Sequence, residues 1–259
     1  MFQHVPRVIY EKNQIVNVIC QLRFPAILAI SAKAPYEFQD AVRQEYPEYS
    51  CKQEQPAPKM VNQGGVMRME KQPQVQNHSF RSGDGQWQLN LTETFIALST
   101  PQYSDWERFA GRLDRALASF LEIYKPTYFE RVGLRYVNGI SRQELGLEDY
   151  RWSELLRPEI VGLLGDEETE EADFARCSQD VECKLRGGCR LKLHAGPGIV
   201  RRGGASERIP RYILDIDVSM TGKLQPAHLT GALQTVHLNA DAVFRGAITE
   251  PLHDAMQPR

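Results

Sequence analysis

Cys177, Cys183, Cys189 and His194 stand close together in the chain, and thiolates with an imidazole are the ligands a structural zinc ion takes. Such sites draw on tight pairs such as C-x2-C, because two ligands must reach one ion from a single turn. Here five, five and four residues intervene, and Cys183 and Cys189 have apolar neighbours. They read as small buried thiols on a strand face, and neither a metal nor a cofactor is expected. Covalent catalysis finds no foothold either. There is no G-x-S-x-G turn, and no cysteine opens a helix from a glycine-rich loop that would lower its pKa. The histidines are scattered at 4, 78, 194, 228, 237 and 253, and His237 reads as a helix-surface residue beside an apolar stripe. Gly83-Asp84-Gly85 precedes a strand and Gly203-Gly204 is not followed by Lys-Ser/Thr, so both are turns and not phosphate loops. No catalytic residue is assigned.

Charge offers two further constellations. In 184–211, Lys184, Arg186, Arg190, Lys192, Arg201, Arg202, Arg208 and Arg211 face one acid, Glu207. Lys184, Arg186, Arg190, Lys192, Arg201 and Arg202 could grip phosphates from a hairpin and its glycine-rich loop. Against this, 166–173 holds six acids just upstream and is placed to neutralise them, and no aromatic is interleaved for base stacking before Tyr212. The second constellation is Gln21, Arg23, Arg131, Arg135, Asp215 and Asp217, the less apolar face of three predicted strands. Such a face would meet water through cross-strand ion pairs, a second copy across a two-fold axis, or an anionic ligand. Asp215 and Asp217 can answer the arginines within one chain only if their strand is the neighbour.

These residues need elements to hold them. In 16–24, Val16, Val18, Cys20, Leu22 and Phe24 alternate with more polar positions, the period of a half-buried strand. A short helix is expected at 35–46, and the Gln- and Pro-rich 50–78 reads as a long loop with one strand piece at 66–69. A meander follows at 79–82, 86–92 and 95–100. The strongest helix then starts with a Ser104/Glu107 capping box, carries Trp106, Phe109, Leu113, Leu117, Phe120 and Tyr124 on one stripe, and stops at Pro126. Strand 128–140 ends the first half. The second half repeats the order: a broken helix at 152–164, the acidic loop, strands 175–185 and 189–194 joined by a three-residue turn, strand 211–219 and a helix at 226–248. The class implied is α+β, a mostly antiparallel sheet in two meander-plus-helix halves with the long helices on one face. We read 1–259 as a single domain with halves of about 1–145 and 146–259.

Composition narrows the function classes. The chain has 259 residues, 42% hydrophobic and 25% charged, with a net charge of −2. That excludes wholesale disorder, and it excludes bulk electrostatics as a reason to bind nucleic acid or membrane. No apolar run approaches the roughly 20 residues of a membrane helix, and the N-terminal residues lack an apolar signal core. With five widely spread cysteines, the expectation is a cytoplasmic protein with reduced thiols and no membrane partner.

Several stretches together resemble a sporadically distributed bacterial family of uncharacterised proteins of similar length. They are Val5-Pro6 with Tyr10-Glu11-Lys12-Asn13, then Val18-Ile19-Cys20-Gln21-Leu22-Arg23-Phe24-Pro25. Phe80-Arg81-Ser82 with Asp84-Gly85 and Trp87 follows, then Leu98-Ser99-Thr100 before Tyr103 and Trp106. Arg131-Val132-Gly133-Leu134-Arg135-Tyr136-Val137-Asn138 and Phe244 with Ala247-Ile248-Thr249 complete the match. Gln14 stands where the resemblance leads one to expect proline. The family's patchy distribution implies carriage on mobile elements, hence toxin–antitoxin, defence or phage-response settings. The expected function is a non-catalytic binding or regulatory protein, a homodimer acting through an unidentified protein partner. The alternatives are a nucleic-acid-binding component using the basic hairpin and an enzyme with an Arg/Asp site.

Overall fold

The computed structural model describes residues 6–55, 59–63, 66–70, 73–166, 168–199 and 209–259. In chain order the first strands and helices are β1 (Ile15–Arg23), α1 (Leu28–Ala32), α2 (Tyr36–Val42), β2 (Glu48–Glu54), β3 (Lys59–Gln63), β4 (Val66–Glu70) and β5 (Val75–Arg81). Then come β6 (Gln88–Leu91), β7 (Phe95–Thr100), α3 (Trp106–Tyr124), β8 (Phe129–Ile140), α4 (Arg142–Leu145), α5 (Trp152–Leu155) and α6 (Pro158–Val161). The last are β9 (Gln179–Lys184), β10 (Arg190–Ile199), β11 (Pro210–Leu224), α7 (Leu229–Ala247) and α8 (Glu250–Ala255). Among the described residues nine strands form one antiparallel sheet in the order β2-β5-β6-β7-β1-β8-β11-β10-β9, and β3 and β4 pair only with each other. The fold is α+β, with helices packed against a large antiparallel sheet. Among the described residues no helix is long and apolar enough to cross a membrane.

The sheet has one dry side. Val18, Cys20 and Leu22 of β1 lie opposite Tyr136, Leu134 and Val132 of β8, which lie opposite Ile216, Val218 and Met220 of β11. Period-two alternation puts these residues on one face, where burial of each large apolar side chain contributes about 1.5–3 kcal/mol. Onto that face α3 lays Trp106, Phe109, Leu113, Leu117 and Phe120, and α7 lays Leu229, Leu233, Val236 and Ala240. The helices meet where the His237 ring stacks on Trp106, centroids 4.3 Å apart, and Trp106 Nε1 donates to Gln234 at 3.0 Å.

The succession of elements runs twice. β1 is followed by two short helices, by β2, β3 and β4, which have no counterpart in the second half, then by β5-β6-β7, whose last strand returns beside β1, then by α3. β8 is followed by three short helices, then by β9-β10-β11, whose last strand returns beside β8, then by α7. β1 and β8 pair antiparallel at the junction.

Three details differ from the sequence reading. The described residues within 50–78 are mostly strand and not a loop: β2 and β5 pair from Glu48–Arg81 to Glu54–Val75, and β3–β4 pairs in the same register, from Lys59–Glu70 to Gln63–Val66. The cap of α3 is Asp105, whose carboxylate accepts from the Arg108 N–H at 2.8 Å while the Ser104 hydroxyl bonds Asp105; a carboxylate is the stronger acceptor at a helix N-terminus. And Gln14, at the position expected to be proline, is buried, its side-chain oxygen accepting from the Ser141 N–H at 3.0 Å.

Candidate functional site

The side of the sheet away from the helices carries the predicted Arg/Asp constellation. Gln21, Arg23, Arg131, Arg135, Asp215 and Asp217 occupy one face of β1, β8 and β11, which are consecutive strands. The acids answer two of the arginines within the chain. Arg135 donates to Asp215 from Nε at 2.8 Å and again from Nη2, and Arg131 Nη2 donates to both Asp217 oxygens at 2.7 and 2.9 Å. The pairing is diagonal, since the register partner of Arg135 is Asp217. Gly133 makes the second diagonal: a Cβ there would lie 2.1 Å from the Arg131 guanidinium, so the arginine lies across a position with no side chain. Asp215 holds the Arg135 guanidinium above its ordinary pKa.

The stripe of alternating charge continues outward. Lys192 of β10 lies opposite Asp217 and bonds Glu182 of β9 at 2.6 Å; His194 lies opposite Asp215 and meets Asp180 at 2.9 Å. Arg23 differs. It is exposed, stands opposite Arg131, and has no ion pair among the described residues.

The basic hairpin is dismembered by this arrangement. Lys192 is tied to Glu182, and Arg211 is buried, its Nη1 donating to the Gly139 carbonyl at 2.7 Å with Glu144 closing the pair. Lys184, Arg186 and Arg190 are exposed at the β9–β10 turn, without an ion pair among the described residues, and Arg201 and Arg202 lie outside those residues. Among the described residues no ion pair joins the acidic segment to the hairpin, contrary to what its position in the chain suggested. Glu171 instead pairs with Arg142 at 3.0 Å and accepts from the Trp152 N–H, while Arg151 donates to the Asp166 and Thr169 carbonyls.

The thiols are placed for packing. Cys183 lies opposite Leu191 against the core, Cys189 is buried there with Asn239 as a 3.7 Å neighbour, and His194 is on the opposite face, so these residues do not converge. Burial pushes the Cys20 thiol up to about 12 and raises Cys189. The described residues bring one other group of ligand atoms together, Glu250, His253 and Asp254 on α8, and His253 Nδ1 is already bonded to the Tyr10 hydroxyl at 2.7 Å.

One constellation was absent from the sequence reading. On the helix side, where α3 begins, α7 passes and β8 emerges, lies a partly enclosed cavity of about 70 Å³. Tyr10, Asn13, Tyr103, Tyr136, Asn138 and Phe244, from widely separated stretches, meet around it. The Tyr136 hydroxyl lies 3.0 Å from His237 Nδ1 and 3.4 Å from the Tyr103 hydroxyl. His237 is not a helix-surface residue but buried, and its Nε2 has no partner among the described residues. Burial first, and then the Arg7 charge, depress its pKa to about 4, so the ring is neutral. The signal for it was in the sequence: four residues after Leu233 and three before Ala240, it falls on the apolar stripe of α7. The two chain ends cover the cavity, Ile9 and Arg259 exchanging backbone hydrogen bonds at 3.3 and 2.9 Å, and Arg7 closes a bidentate pair with Glu107 of α3.

The chain matches no model of a known family, and no curated protein matches it.

Proposed function

We propose that this is a non-catalytic binding protein that acts through a protein partner, a second copy of the chain, and that the β3–β4 ribbon makes the contact. The observation that carries this is the ribbon itself. It keeps the β2–β5 register, and β3 alone spans about 13 Å from Lys59 to Gln63 at strand spacing. Among the described residues it pairs with no third strand, and a two-stranded hairpin alone is marginal in water.

Its β4 strand presents Met67 and Met69, 57% and 73% exposed, on one face, and Met60 is the register partner of Met69. Methionine is the residue of adaptable binding surfaces. At the far end of the sheet β9 has no outer neighbour among the described residues, which gives a second copy an edge for such a ribbon to meet. The remaining chemistry supports binding over catalysis. The Cys20 and Cys189 thiols are buried, and Arg131 and Arg135 are held by carboxylates, so an anionic substrate finds little free charge on the open face.

Sedimentation velocity of the wild type and of a Met67→Lys, Met69→Lys variant tests the reading. The wild type should dimerise at micromolar concentration, and the variant should dimerise about tenfold more weakly or worse with an unchanged circular dichroism spectrum. A wild type that stays monomeric at high micromolar concentration, or a variant that dimerises equally well, overturns it.

A further inference from the structure

We infer that the cavity between α3, α7 and residues 7–10 is a binding site for a small neutral alcohol, its hydroxyl on Asn138 and Tyr103 and its carbon chain among the aromatic rings. Size sets the scale. A cavity of about 150 Å³ holds a benzene ring, so 70 Å³ accommodates about three or four heavy atoms.

The polar groups set the chemistry. Asn138 lines the cavity and is only 2% exposed, on the dry face of β8 two residues after Tyr136. Its Nδ2 donates to the Leu214 carbonyl at 2.9 Å, which fixes the amide and leaves Oδ1 without a hydrogen-bond partner among the described residues. A buried oxygen short of a donor is a cost that a hydroxyl in the cavity removes. Tyr103 stands at the end of the hydrogen-bonded chain that runs from His237 through Tyr136. Where His237 Nδ1 accepts, Tyr136 accepts in turn from Tyr103, whose oxygen keeps a lone pair. Where Nδ1 donates, Tyr136 donates to Tyr103, whose proton is left over. A hydroxyl answers both cases, because it donates one hydrogen bond and accepts others.

The walls disfavour the alternatives. Tyr10 and Phe244 meet edge to face at 6.0 Å, and Tyr103 and Tyr136 do so at 5.4 Å, so apolar ring surface lines the space from several directions. The charged groups beside it are engaged: Arg7 pairs with Glu107, Asp105 caps α3, and Asp241 is not free either. His237 is neutral, and burial above all raises the phenols of Tyr10, Tyr103 and Tyr136, so these rings stay un-ionised. An ammonium or a carboxylate would shed its water and meet no free counter-charge. A hydrocarbon would displace water from Asn138 Oδ1 and give no hydrogen bond in return. The site is independent of the ribbon, so either proposal can fail without the other.

Proton NMR of the aromatic rings, titrated with 2-propanol, propane, trimethylammonium chloride or sodium acetate, reads the site in the intact chain. Saturable shifts of the Tyr10, Tyr103 and Phe244 ring signals are expected with 2-propanol in the millimolar range. Binding of the hydrocarbon and of the two ions should be about tenfold weaker or absent. Asn138→Val removes the acceptor while keeping a strand-forming side chain, and should weaken 2-propanol binding about tenfold; Tyr103→Phe should weaken it severalfold. The inference is overturned if 2-propanol gives no saturable shift, so that the cavity takes water alone. It is equally overturned if propane or either ion binds as well, or if a folded Asn138→Val protein binds 2-propanol unchanged. Should Asn138→Val not fold, the ranking of the four probes on the wild type decides by itself.

Discussion

On one side of β8, Arg131 and Arg135 reach Asp217 and Asp215 in contact with water; on the other, Tyr136 reaches His237 out of it. The residues alternate along a single strand, so the backbone delivers both systems with equal precision. What separates them is the medium. An ion pair at an exposed sheet face exchanges one set of favourable contacts for another and nets about 0–1 kcal/mol. A hydroxyl and an imidazole buried between helix and sheet have little water to fall back on, and losing a partner there costs about 1–3 kcal/mol. The open face therefore serves solubility and strand register, with its Arg–Asp diagonals favouring one alignment of β8 on β11. The closed side is where the molecule commits buried polar groups, and it is there that selectivity for a small ligand can arise.

The largest contrast should come from neighbouring residues of β8 that face opposite ways. Leu134 is fully buried between β1 and β11, and Leu134→Ala should cost about 2–5 kcal/mol through lost transfer energy and a residual cavity. Arg135→Ala, one position along, should cost no more than about 1 kcal/mol. Urea unfolding followed by tryptophan fluorescence measures both. Equal losses would mean that the open face is as tightly engaged as the core.

The same contrast explains how much could be read from sequence. β1, β8 and β11 are central strands with one dry face, so their alternation announced both the core and the Arg/Asp surface. β2 was illegible because all seven of its residues are exposed, and a strand with no buried side shows no hydrophobic period. The open face was legible as a set but not as pairs, since which acid meets which arginine depends on Gly133 leaving room. The cavity could not be read at all. Tyr10, Tyr103, Tyr136 and Asp241 come from four parts of the chain, and only the pairing of β1 with β8 and the crossing of the helices bring them together. His237 alone betrayed itself by its place on the stripe.

Acid should distinguish the two sides next. In the folded protein His237 stays neutral down to about pH 4, against 6.5 for the free imidazole. Between those values the unfolded chain binds the additional proton, so this contribution to stability is full above about pH 6.5 and is lost as pH falls toward 4. At pH 5 the loss should be about 2 kcal/mol. His237→Phe keeps a ring on Trp106 and removes the titration. Its stability should therefore fall less than that of the wild type between pH 7 and pH 5, in paired urea titrations. Parallel pH profiles would mean that His237 is accessible to solvent.

The smallest effect expected is the coupling between Arg135 and Asp215. The arginine side chain is 48% exposed and the carboxylate 15%, so the pair sits partly in high dielectric, where a double-mutant cycle should return about 1 kcal/mol or less. Removing Arg135 does not strand Asp215, because its cross-strand neighbour His194 lies on the same face, and water reaches the rest. Salt sharpens the test. At molar ionic strength, where the screening length is about 3 Å, the coupling should shrink toward zero, while the Leu134→Ala loss should be unaffected by screening. A coupling of about 2 kcal/mol or more that survives high salt would mean that this face is desolvated in solution. The dimer contact would then lie on the charged sheet, with the methionine ribbon elsewhere.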